Sequence, residues 1–177
     1  DAENKDLIAE GNQLHTGYVT MHVTTAPFDN VKVRQAVNMA INKERIVRLI
    51  NNRAAPASQA LPPAMPGYNA NNKGYAYDPE GAKKLLAEAG AGEITTELYA
   101  MNVDPNPRIA QAIQQDLAAV GIKAEIRSLA QAEVIAAGGS GKAPMIWSGG
   151  MAWIADFPDP AKFYYGILGC AGAGEGG

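Results

Sequence analysis

Cysteine is almost absent from this chain of 177 residues: Cys170 stands alone, so no disulfide can close within it. Histidine is nearly as scarce, with only His15 and His22. One thiol and two imidazoles cannot complete a closed zinc site, and no metal or other cofactor is expected. No apolar run is long enough to span a bilayer. No block of like charges occurs, and the net charge is −3, which argues against nucleic acid or an anionic membrane surface as partner. A P-loop and a dinucleotide fingerprint are also missing. The glycines at 138, 139 and 141 precede a strand pattern, where a phosphate cradle would need a helix. Ser140 and Ser148 have no evident histidine partner, so a small α/β hydrolase is a remote alternative and no enzyme is expected. Asp78, Asp104, Asp156 and Asp159 all stand beside or near prolines, an arrangement that does not support paired-carboxylate catalysis. No signal peptide opens the chain, a lack that a mature secreted protein would share.

What is present is an ordinary globular composition, 47% hydrophobic and 19% charged, with enough chain for one domain and its core. Residues 18–23 alternate as a strand does. Asp29 and Asn30 can cap a helix whose apolar face is Val33, Ala36, Val37, Ala40 and Ile41. Asn42 can cap a second, with Ile46, Val47, Leu49 and Ile50 inward. Residues 53–77 hold four prolines and should wrap the surface, pinned by Leu61, Met65, Tyr68, Tyr75 and Tyr77. Asp78-Pro79 then starts a helix that Gly90 ends.

From Ile94 the pattern reads strand, helix, strand, helix, strand. The strands are 94–101, 122–129 and 143–148, and the helix between the first two starts at Asp104 or Asn106. Residues 131–137 give a short helix, and a last one follows Asp159-Pro160. Such alternation predicts a sheet with parallel neighbours and helices packed on it. Ligands of such sheets sit beyond the carboxyl ends of the strands, here near 101–108, near 129–133 and after Ser148.

The segment after the third strand gathers both tryptophans, Trp147 and Trp153, with Asp156 and Asp159. Asp159 precedes a proline and reads as a helix cap. Asp156 has no obvious helix of its own to cap. It is either part of a core aromatic segment or a carboxylate for a cationic amine, with Trp153 as a stacking face. The two indoles could equally stack on a sugar.

Several strings carry a family resemblance: PFDNVKVRQAVNMAINKE, LPPAMPGYN, YDPEGAKKLLAEAG, RIAQAIQQDLAAVGIKAEI and WIADFPDPAKFYYG. Together they resemble the family 5 solute-binding proteins of bacterial ABC importers, the dipeptide/oligopeptide-binding family. The resemblance implies an α/β, three-layer-like lobe of a type II periplasmic binding protein, with a mixed sheet flanked by helices. It implies that Asp156 accepts the α-ammonium group of a peptide. An arginine near Arg108 would grip the ligand carboxylate, although Arg108 also reads as solvated surface. The expected site is therefore Asp156, Trp153, Trp147, Arg108 and Met101.

The resemblance further implies one lobe of a two-lobed receptor. Residues 1–17 would be a polar lead-in from the crossover, 18–168 the lobe, and 169–177 a glycine-rich truncated tail. Cys170 would be a small buried hydrophobe or half of a disulfide whose partner lies beyond Gly177. The implied partners are a small solute (a peptide, or an oligosaccharide or opine), the missing first lobe and an ABC permease. The implied location is periplasmic or extracellular, with a possible membrane tether in the parent.

Overall fold

A computed structural model describes residues 11, 13–148 and 153–167. Short strands β1 (His15–Thr16) and β2 (Val19–Met21) lead into helices α1 (Val31–Ala40) and α2 (Lys43–Leu49). Both helices start on asparagine caps. The Asn30 side chain accepts from the Lys32 N–H and Asn42 accepts from the Arg45 N–H. Each occupies a donor that the first helical turn would otherwise leave unpaired. Helix α3 (Pro79–Glu88) repeats the device, with Asp78 accepting from Gly81. A Cβ at Gly81 would lie 2.3 Å from the Asp78 carboxylate and 2.6 Å from Met39, so both side chains would have to shift and the cap would be disturbed.

Next come β3 (Ile94–Met101), α4 (Asn106–Ala118), β4 (Ile122–Leu129), α5 (Gln131–Gly139), β5 (Met145–Trp147), β6 (Trp153–Ile154) and α6 (Ala161–Ile167). The main sheet has four strands in the order β2-β5-β3-β4. β5, β3 and β4 are parallel, as the alternation of strand and helix predicts. β2 closes one edge antiparallel to β5. β1 pairs antiparallel with β6 in a separate two-stranded ribbon, with His15 opposite Ile154 and Thr16 opposite Trp153.

From Leu98 onward strand β3 is buried on both faces, and its alternation sorts the core into two layers. Leu98 and Ala100 join Val33, Val37, Leu86, Ile113, Leu117, Ile122 and Met145 in the main cluster, which packs α1, α3 and α4 on one face. Tyr99 and Met101 join Val134, Ala137 and Ile146 under α5 on the other. Helices therefore cover both faces of a mixed sheet, the three-layer-like α/β arrangement expected. Each fully buried Leu, Ile or Met contributes about 1.5–3 kcal/mol from apolar burial.

Helix α2 is tied to α4 by a buried carboxylate. Asp116 accepts from the Asn42 backbone N–H at 3.0 Å and pairs with Arg45 at 2.9 Å. Arg45 also donates to the Ala112 carbonyl. The polar link adds to apolar packing that is only partial: α2 has no fully buried residue, and Ile46 packs half-buried against the main cluster.

Residues between α2 and α3 form neither helix nor strand, as their prolines predict. Leu61 and Met65 are buried pins. Tyr75 and Tyr77 are not, being 45% and 51% exposed. Tyr75 is held by polar contacts instead, its hydroxyl accepting from Gln35 and its carbonyl from Lys43. Burial lowers the pKa of that lysine. Gly74 is required in this loop, since it has φ +59° and a Cβ would lie 2.5 Å from the Ser58 carbonyl oxygen. The expectations for Cys170 and the glycine tail lie outside the described residues.

Candidate functional site

The carboxyl ends of β3, β4 and β5 meet at one end of the sheet because the three strands are parallel. Backbone pairing continues past the strands there, with Asn102 N–H donating to the Leu129 carbonyl at 2.8 Å. α4 begins beside this end. It starts at Asn106, one of the two starts the sequence allowed, with Pro105 at the cap position and no side-chain cap bond. Asp104 is drawn away by Arg108, one turn on, whose Nε and Nη2 meet its two carboxylate oxygens at 2.9 and 2.8 Å. This pairing raises the Arg108 pKa.

Asn106 is drawn inward instead, and is 5% exposed. Its Nδ2 donates to the Val103 carbonyl at 2.8 Å, and its Oδ1 accepts the Trp147 indole N–H at 3.0 Å. Trp147 thus has its polar end satisfied within the fold, while its ring packs on the main cluster. Asn106 is the residue whose role sequence reasoning missed. Its position read only as a helix start, and its partner lies 41 residues away.

Met101 is buried in the cluster beneath α5, at the floor of this end. Trp153 lies in β6, opposite Thr16 of β1. Asp156 follows two residues after β6, in an exposed bend. The bend is framed by the Ala155 N–H donating to the Leu14 carbonyl and by Asp159, which accepts from Ala161 at 2.7 Å. Asp159 is the cap expected. Trp147 is tied to the start of α4 through Asn106, whereas Met101 lies under α5 and Arg108 lines the groove between α2 and α4. Trp153 and Asp156 belong to the β1–β6 ribbon.

His15 of that ribbon has a buried Nε2 without a hydrogen-bond partner, and burial lowers its pKa. Among the described residues, the open grooves of the outer surface include these two. One, of about 270 Å³, lies between α2 and α4 and reaches Arg108, Arg45 and Gln115. The other, of about 240 Å³, lies by Met21, Val31 and Tyr75. Asp156 lines neither. Among the described residues, no group of three or more His, Cys, Asp or Glu side chains could hold a metal ion, and no helix is long and apolar enough to cross a membrane.

The profile of the family described as bacterial extracellular solute-binding proteins, family 5 middle, matches residues 1–175. The chain belongs to this family. It is similar to the dipeptide-binding protein of Escherichia coli strain K12, 37% identical over 170 residues that cover 92% of this chain and 31% of that protein. It is also similar to heme-binding protein A of Haemophilus influenzae, at 35% identity over 178 residues, 97% of this chain and 32% of that protein. Among solved structures, it resembles the dipeptide binding protein of Pseudoalteromonas sp. SM9913 in complex with Met-Leu. That match has a TM-score of 0.85 at 27% identity and covers 99% of this chain and 37% of that one. The family 5 chain thus spans about a third of the length of the curated relatives it matches. Its fold is that of a lobe of the type II periplasmic binding proteins.

Proposed function

We propose that this family 5 chain is the solute-gripping lobe of a periplasmic receptor that delivers peptides to an ABC permease. The observation that carries the reading is Asp156. It is an exposed carboxylate in the bend after β6, inside the string WIADFPDP, in a chain related to dipeptide-binding proteins. A carboxylate there accepts a peptide α-ammonium by a charge-assisted hydrogen bond. Trp147, at the carboxyl end of β5, is the proposed apolar wall of the site, with Met101 buried behind it. Arg108 takes a ligand carboxylate only by exchanging it for Asp104. The function is capture, with no catalytic step.

Magnitudes explain why a second lobe is needed. An exposed ion pair in water contributes only about 0–1 kcal/mol. A receptor cleft buries most of its ligand, which strengthens the same contact. The first lobe of a longer parent would supply that cover, and ligand would shift the open and closed populations by its preference for the closed form. The isolated chain is therefore expected to keep its fold and to bind peptide poorly.

A neutral oligosaccharide or an opine is the alternative solute. Titration calorimetry of a two-lobed parent separates them. Dialanine should bind, and N-acetyl-dialanine, which has no ammonium group, should bind far more weakly. Equal affinity for both would overturn the peptide reading. Micromolar binding by the isolated chain would overturn the need for a second lobe.

A further inference from the structure

The residues around Asp156 do not belong to the main core. Leu61, Met65 and Phe163 form an apolar cluster of their own, 3%, 3% and 1% exposed, with Leu14, Tyr68 and Ala155 packed against it. Its members come from three distant parts of the chain: the lead into β1, the proline-rich loop, and the β6–α6 segment. Ala155, the residue immediately before Asp156, is one of them. Its N–H is held by the Leu14 carbonyl at 3.0 Å. Beyond Asp156, Pro160 accepts the N–H groups of Phe163 and Tyr164. On the loop side, Met65 donates to Pro62, and Tyr68 donates to Met65, which winds the loop into two tight turns. Gly67 brings the two sides together. A Cβ there would touch both Leu61 and Pro160 at 3.8 Å.

We propose that the Leu61–Met65–Phe163 cluster is a positioning device for Asp156. The proline-rich loop clamps α6 and Ala155, and so fixes the backbone from which the Asp156 carboxylate projects. Leu61, Met65 and Phe163 are positioning residues, since they touch Ala155 and α6 and no solute. The device also assigns a purpose to a long loop without regular structure. Being a satellite of the main core, the cluster opens without unfolding the sheet. This inference rests on Asp156 as the solute anchor.

The test is hydrogen exchange read by mass spectrometry on this chain. Phe163→Ala should speed exchange at residues 154–158 and in the 60–68 turns by roughly a hundredfold, with β3, β4 and α4 unchanged. Phe163→Leu should restore most of the protection. Leu61→Ala, almost a hundred residues away in sequence, should speed exchange at 154–158 as well. The proposal is overturned if Leu61→Ala leaves 154–158 unaltered, or if either variant speeds β3 and α4 equally. In a two-lobed parent, dialanine affinity unaffected by Asp156→Asn would defeat the anchor reading while leaving the loop–helix coupling standing.

Discussion

The indole N–H of Trp147, at the end of β5, donates to the Oδ1 of Asn106, in the first turn of α4, across 3.0 Å. The bond joins the third parallel strand to the helix that follows the first. It therefore fixes the end of the sheet where the candidate site lies. Asn106→Ala leaves a part-buried indole donor without its partner, at a cost of about 1–3 kcal/mol. Urea denaturation measures that loss. A double-mutant cycle with Trp147→Phe should give a coupling of about 0.5 kcal/mol or more, because the two residues are in direct contact.

Asp116 is the second polar group that the fold depends on. It is 7% exposed and holds both the Asn42 N–H and Arg45. Asp116→Ala leaves the backbone donor of a helix cap unpaired and removes one partner of the one-third-exposed Arg45, so a loss of about 1–3 kcal/mol is expected in thermal or chemical denaturation. Asp116→Asn keeps an acceptor for Asn42 and should cost markedly less.

A third prediction concerns acid. The Arg127 guanidinium, hydrogen-bonded to Glu97 at 2.6 and 2.9 Å, holds that carboxyl below its usual range, and the Tyr99 hydroxyl adds a further donor. A carboxylate with a lowered folded pKa adds stability above its unfolded value of about 4.3. That contribution disappears as pH falls through the lower, folded value. Arg127→Gln should therefore reduce stability modestly at neutral pH, because the pair is partly exposed. The difference from the parent should vanish in strong acid. Circular dichroism followed from pH 7 downward checks both limbs.

Much of this fold was legible locally. Asn30, Asn42 and Asp78 cap the helices they precede, because a cap bonds to a donor two or three residues on. The three parallel strands followed from apolar pattern and spacing. What was not legible depends on distant partners. The β1–β6 ribbon brings His15 to Ile154, and each of its strands has only two residues, too few for a period to register. Asn106 read only as a helix start because its indole partner is far away in sequence. Tyr75 and Tyr77 read as buried pins because aromatics in a loop commonly anchor it, whereas polar bonds hold Tyr75. At the site, Asp156 was visible through its neighbours in sequence. The cluster supporting it was not, since Leu61 and Phe163 meet only in the folded chain.

The central claim is that Asp156 holds a peptide amine. Its most direct test is calorimetry of dialanine binding to a two-lobed parent and to its Asp156→Asn variant. The substitution removes the charge with little change of shape. Losing a charge-assisted hydrogen bond in a closed cleft is worth about 1.5–3 kcal/mol, so affinity should fall by roughly ten- to a hundredfold. Unchanged dialanine affinity in the folded variant would contradict the account.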